Sequence, residues 1–457
     1  MKTKNTLAAL TAALAIVAAM FSVTAFADEE AAAEPAAKIG ETEYATLAEA
    51  VSAASTGNTI TLLSDAELTA TLSIANKQII LDLGGNTLGA ASGFDTAVKV
   101  QRGTLTVKNG SINVPNTAFE IAANKNNELS TMTSTVTLES DVTVTSETDC
   151  CVYLYGKTAK LVVDGAKLTS NGVYATIQGQ GTTKYYGNTV IEIKNGAEII
   201  SSKSSAMYIP QKGTVSVSDS TVQGATTAIE VRAGDLTISG DSVITGGMGE
   251  LTATPNGSGA TTTNAALAVV QHTTKLDTNI NITGGTFIGT ASLYEADIQE
   301  NNTDNVSIAI SGGNFQGSVS VEDVDKFISG GEFSAEPDAS YLAEGLTAEY
   351  IDGAYVIKDT GITVSTKNTY SADGANETAA TGFITTISGG ALKINTIKWT
   401  VTYAEESRYT EFTPENAISI DGAGDAKIGL IVNGFNTSDA IAVATINGIY
   451  AEKPDIQ

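Results

Sequence analysis

The chain has 457 residues, with 51 Asp and Glu against 25 Lys and Arg, for a formal charge of −26. That length exceeds what one compact core serves, so several domains or a solenoid are expected. A negative field of this size excludes nucleic acid as a partner and disfavours anionic polysaccharide, and two cysteines exclude a disulfide-stapled fold.

The first element is a leader. Lys2 and Lys4 precede an Ala-rich apolar run over 7–23, followed by Ala25-Phe26-Ala27 and the acidic Asp28-Glu29-Glu30. This order predicts a secretory signal peptide over 1–27, cut after Ala27. No apolar run has the length and flanks of a membrane span. A secreted, extracellular protein is expected, soluble or held non-covalently at a cell surface. Removing two Lys and no acids takes the charge from −26 to −28. Residues 28–38 (DEEAAAEPAAK) read as a linker. Thr46 and Glu49 then form a capping box, and Tyr44, Leu47, Ala48, Val51 and Ala54 share one face. One short helix over 44–54 is expected.

Nearly everything after it reads as strand, and the strands repeat. One phrase is an apolar alternation ending at a turn. It reads Leu81-Asp82-Leu83-Gly84-Gly85, Leu105-Thr106-Val107-Lys108-Asn109-Gly110, Leu161-Val162-Val163-Asp164-Gly165, and later Ile280-Asn281-Ile282-Thr283-Gly284-Gly285. A second phrase is small, apolar, variable, apolar. Its copies begin at Ala97, Ala118, Cys151, Gly172, Ala206, Ala228 and Ala266. The shortest steps between copies are 21 or 22 residues, which suits one coil of three short strands and three corners. Stacked coils pair each strand in parallel with the next and join the inward residues into one core. Val98, Phe119, Val152, Val173, Met207, Ile229 and Leu267 are the predicted inward column. Lys99, Glu120, Tyr153, Tyr174, Tyr208, Glu230 and Ala268 are its outward counterpart.

The expected fold is therefore all-β. It is a right-handed parallel β-helix over 39–358, capped by the short helix. A string of β-sandwiches is the competing reading, but sandwich strands seldom keep one register across seven copies. Extra residues fall at 124–134, 179–189 and 245–264 and are expected to stand off as loops. From 361 to 452 the strands lengthen and lose the register, which suggests a small antiparallel β-sandwich.

Several segments carry a resemblance. They are Ile39-Gly40, Tyr44 to Val51, Gly57 to Leu63, Ile80 to Leu88, the Gly-Gly-x-Phe copies ending at Phe287, Phe315 and Phe333, and the Tyr341 to Val356 closure. Over about residues 39–358 the chain resembles pectate-lyase-like parallel β-helix surface and adhesin-like proteins of Gram-positive gut bacteria. The resemblance implies the fold and secretion more than any activity.

A lyase site needs clustered carboxylates for Ca²⁺ and an Arg or Lys base. The arginines are Arg102, Arg232 and Arg408, and the first two lie coils apart. The one histidine, His272, has no Asp pair beside it and reads as a surface residue. No catalytic residue, metal or cofactor is expected. The chain reads as a non-enzymatic surface or adhesin-like protein that binds glycan or another protein. The alternatives are a polysaccharide lyase or hydrolase with an atypical site, and a purely structural surface component. Cys151 falls in the Ala column, so a buried thiol is favoured over a vicinal disulfide with Cys150. One binding candidate emerges. Tyr153, Tyr174 and Tyr208 fall in the outward column, Tyr155 faces the same way, and Tyr185 and Tyr186 sit in the adjacent loop. Such a row either stacks sugar rings or forms a cross-strand ladder that only stabilises the sheet.

Overall fold

The structure is a computed structural model. It describes residues 34–122, 133–156, 158–181, 188–303 and 305–359, and the backbone of seven strands between 363 and 451. The leader, most of the linker, Tyr185 and Tyr186 lie outside the described residues.

The chain is a right-handed parallel β-helix with three ladders. The first runs from Thr59–Leu62 through Thr104–Lys108 and Gly213–Ser218 to Val306–Ile310. The second runs from Ala66–Leu68 through Val142–Ser146 to Glu332–Phe333. The third runs from Leu72–Ala75 through Val152–Tyr155 to Asn314–Val321. Two ladders merge near the C-terminal end because Thr286–Glu295 and Asn314–Val321 continue through the corner between them. Crossovers between parallel strands of one sheet are almost always right-handed.

The alternation in the sequence produces this directly. In Thr104–Lys108, Leu105 and Val107 are buried and their neighbours are not. At the corner after the first ladder the backbone turns left-handed, at Asn109 (φ 58°), Asn195 (φ 59°) and Gly165 (φ 75°). A Cβ at Gly165 would lie 2.8 Å from the Cβ of Ser140 on the neighbouring coil, so that corner needs glycine. The Gly-Gly-x-Phe copies stack their rings. Phe287 and Phe315 lie 4.7 Å apart and nearly parallel, and Phe315 and Phe333 lie 4.8 Å apart. This is the strand spacing along a ladder. Outside, opposite charges face each other between neighbouring coils, as in Lys160–Glu192 (2.6 Å) and Lys194–Asp164 (3.4 Å).

One stretch of the predicted register is wrong. Val152, Tyr153 and Leu154 pair with Ile177, Gln178 and Gly179, not with Val173, Tyr174 and Ala175. Ile177 takes the inward place expected of Val173, which is 69% exposed. Residues 173–174 belong to the corner before the strand. The true copy is hard to see because Gly179 stands where a second apolar residue is expected. A Cβ there would meet the side-chain amide of Gln211 on the next coil, which would have to move aside.

Both ends are covered. The N-terminal helix spans Leu47–Ala53, with the Thr46–Glu49 capping box formed. Ala50 is buried in place of the expected Ala48, and Tyr44 belongs to the strand Thr42–Tyr44. Lys77 Nζ donates to the carbonyls of Val51 (2.8 Å) and Ala54 (3.0 Å) and closes the helix C-terminus. Strand Ala37–Ile39, partly inside the segment read as linker, pairs antiparallel with Thr42–Tyr44 and Thr59–Leu62. At the other end the hairpin Leu346–Ile351 and Ala354–Asp359 pairs antiparallel on Glu332–Phe333. Beyond it, Thr363–Ser371, Ala380–Ser388 and Ala426–Asn433 form one antiparallel sheet, and Leu392–Tyr403 pairs antiparallel with Tyr409–Phe412, Ser419–Ile420 and Ala440–Ala451.

Candidate functional site

The third ladder carries the site. Its outward column reads Ser73, Lys99, Glu120, Tyr153, Gln178, Tyr208, Glu230, Ala268 and Tyr294 along the stack. A cleft of about 440 Å³ lies along this column. That volume falls within the usual range for small-molecule sites, about 300–1,000 Å³.

Of the six tyrosines singled out by sequence, the structure brings Tyr153, Tyr174 and Tyr208 to the cleft. Tyr174 does so from the corner, not from the column, and is 54% exposed. Tyr208 is only 3% exposed. Its hydroxyl accepts from Arg232 Nη1 at 3.2 Å, and the guanidinium stands 6.0 Å from its ring centre. Tyr155 is buried rather than presented, and it supports the floor. Its ring lies 5.6 Å from that of Tyr153, and its hydroxyl donates to Glu120 Oε1 at 2.5 Å. Gln180 Nε2 donates to the hydroxyl of Tyr153 at 2.8 Å. Tyr185 and Tyr186 lie outside the described residues. The arrangement is therefore neither a flat aromatic row nor a pure ladder. It is a cleft lined by Tyr153, Tyr174 and Tyr208 with polar groups among them.

Sequence reasoning missed the polar groups. Asp95, Glu120, Asp149, Gln178 and His272 all line the cleft. Glu120 was visible as an outward residue but had no signal marking it. Burial raises its pKa, but hydrogen bonds from Lys99 (2.7 Å) and Tyr155, with the Lys99 charge, outweigh burial and lower it. Glu120 is thus held ionised. His272 is not the surface residue expected, being 5% exposed. Burial first, and the Arg232 charge second, hold its pKa below the usual imidazole value. Thr274 N–H donates to Nδ1 (3.2 Å), so the proton sits on Nε2, which faces the Gly257 carbonyl at 3.1 Å. Gln178 was hidden by the register error. Among the described residues no cluster of three His, Cys, Asp or Glu is placed to hold a metal ion. Cys150 and Cys151 are free and buried. Burial pushes the Cys150 thiol up to about 12 and Cys151 higher still, which makes both poor nucleophiles. Cys151 occupies the small inward site next to Ala118, as its place in the repeat predicts.

The excursion 245–264 forms one end of the cleft. It was expected as a loop standing off the helix. Instead it folds down over the column through a short hairpin, Thr252–Ala253 with Thr262–Thr263. Glu230 and Arg232, outward by position, are wholly buried beneath it. The Glu230 carboxylate accepts from Thr261 N (2.8 Å), Thr261 Oγ1 (3.0 Å) and Thr262 N (3.2 Å). Burial pushes its pKa up, and these donors with Arg232 pull it back. Arg232 donates to the carbonyls of Asn256 (2.8 Å), Gly259 (2.7 Å) and Val270 (3.2 Å). Gly257 and Ser258 at the tip face the cleft.

No family model matches the chain, and no curated protein matches it. A solved structure to which it is similar is the enzymatically active domain of bacteriophage CBA120 tailspike protein 4, at 10% identity and TM-score 0.32. The match covers 86% of this chain and 63% of that one, so the chain spans less than two thirds of the tailspike chain. The expectation of a non-enzyme is corrected here. The matched β-helix domain is described as enzymatically active. His272, read as a surface residue, is buried and lines the cleft with the Arg232 charge near it, while Arg102 and Arg232 stay coils apart. Among the described residues no helix is long and apolar enough to cross a membrane.

Proposed function

We propose that the chain is an extracellular glycan-binding or glycan-active β-helix protein, with its ligand in the cleft on the third ladder. The signal-peptide pattern supports secretion, and the resemblance to surface proteins of Gram-positive gut bacteria agrees with it. One observation carries the reading. Along five successive coils the outward face changes from the charged Lys99 and Glu120 to Tyr153, Gln178 and Tyr208, with the exposed ring of Tyr174 at the mouth. Aromatic faces match the apolar faces of sugar rings, and amide and carboxylate groups between them match hydroxyls. Glu120 and Asp149 supply acceptors for those hydroxyls, and for proton transfer if the bound glycan is cleaved.

The test uses the full chain against neutral, acidic and amino polysaccharides. Binding is followed by calorimetry, and cleavage by new reducing ends or unsaturated products. At least one class should bind. Tyr174→Ala, which removes an exposed ring with no core role, should weaken that binding about tenfold, a loss of roughly 1.4 kcal/mol. Unchanged affinity in Tyr174→Ala, or no binding to any class, sinks the proposal.

A further inference from the structure

We infer that the cleft takes the end of a glycan chain rather than its middle, and that Glu230 and Arg232 are the positioning residues of the wall that imposes this. The inference rests on the glycan reading above and concerns how the ligand lies.

A groove that reads the middle of a polymer must be open at both ends. This one is not. At its N-terminal end the outward column continues past Asp95 to the exposed Ser73 of the preceding coil. At its C-terminal end the column stops abruptly. Glu230 and Ala268, the next two outward positions after Tyr208, have 0% exposure because the excursion lies on them. Among the described residues four coils keep partly exposed outward positions, Lys99, Glu120, Tyr153 and Gln178, before the buried Tyr208, which at the strand spacing of a ladder is a run of roughly 15 Å. A chain entering along the stack meets the Gly257–Ser258 tip and must end there.

The wall is built to stay. A loop that merely drapes over a sheet is tied at its ends. This one is tied at its tip and both flanks. Arg232 holds the carbonyls on either side of the tip, at Asn256 and Gly259. Glu230 holds the returning strand through the backbone of Thr261 and Thr262. His272 Nε2 faces the Gly257 carbonyl, and from the next coil Gln299 Nε2 donates to Asn256 O at 3.1 Å. Two opposite charges sealed in one place are costly unless each finds such partners. Neither would be needed if these outward positions were left open, as the partly exposed Lys99 is farther along the column.

The experiment is a stoichiometry measurement. Size-fractionated ladders of chitin, β-glucan and homogalacturonan oligosaccharides are titrated against the full chain by calorimetry, with complex mass followed by sedimentation. In any series that binds, affinity per molecule should rise only until the oligosaccharide fills the cleft, and long chains should carry one protein each. Affinity that keeps growing with length, with several proteins on one long chain, overturns the inference while leaving the glycan reading intact. No binding in any series overturns the glycan reading, and this inference with it. The paired variant Glu230→Leu with Arg232→Met removes the wall's anchors and should raise the number of proteins per long chain above one. A value still at one overturns the positioning role. Ser258→Trp, a surface change at the tip, keeps the test decisive if the paired variant does not fold. It should shorten the oligosaccharide length at which affinity levels off, and an unchanged length counts against the wall.

Discussion

Glu120 is where residue-scale electrostatics enter the cleft. Its carboxylate is largely shielded, with a side-chain exposure of 16%, and it is held by Lys99 and Tyr155. Its pKa is lowered from 4.5 by those partners against the opposing effect of burial. A depressed folded-state pKa contributes stability above the unfolded value, and that contribution is lost as pH falls through the folded one. Thermal melts of the parent should therefore drop steeply as pH falls below about 4.5, and Glu120→Gln should flatten that part of the profile. Parallel profiles for the two proteins would show that the carboxylate carries no linkage. The chemistry of this residue was not legible in the sequence, because Lys99 is 21 positions away and Tyr155 is 35. Only the coil register brings them together. The same holds for His272, whose neighbours in sequence are Thr and Gln but whose neighbours in space are a buried guanidinium and a loop carbonyl.

At the scale of elements, the repeat was legible wherever its apolar alternation was intact and illegible where packing replaced a letter. The ladders through Val98, Phe119, Val152, Met207, Ile229 and Leu267 follow the predicted column. At 177–179 Gly179, packed against the Gln211 side chain, broke the phrase, and a false copy four residues earlier matched better. The excursion 245–264 was legible as an insertion, but its descent onto the ladder was not. Position alone says that Glu230 and Arg232 face out, and their burial depends on a loop that returns over them. Arg232→Met alone leaves the Glu230 charge buried with fewer partners and should cost about 3–5 kcal/mol. The paired change with Glu230→Leu should recover much of that loss, as replacing a buried ion pair by apolar groups often does. Chemical denaturation of the three variants measures this directly, and additive losses would contradict it. The stacked phenylalanines give a second test. Phe315 has a ring on each side, so Phe315→Ala should lose roughly 3–5 kcal/mol, more than Phe333→Ala at the end of the stack. Equal losses would mean that the stack adds nothing beyond burial.

For the whole molecule, the coil stack does two jobs with one geometry. Inward residues join into a core that no single coil could form, and outward residues on one ladder become a row whose spacing is fixed by the backbone. Function then depends on which outward letters are written on consecutive coils and on which insertion covers them. The most direct measurement is a footprint. The full chain, saturated with a polysaccharide that binds it, is treated with a tyrosine-modifying reagent and read by mass spectrometry. Tyr174 at the cleft mouth and Tyr350 on the C-terminal cap are both well exposed, at 54% and 65%, so each reacts in the free protein. The account predicts that bound glycan protects Tyr174 and leaves Tyr350 reactive. Protection of Tyr350 alone, or of neither residue while glycan is bound, would place the ligand elsewhere and contradict it.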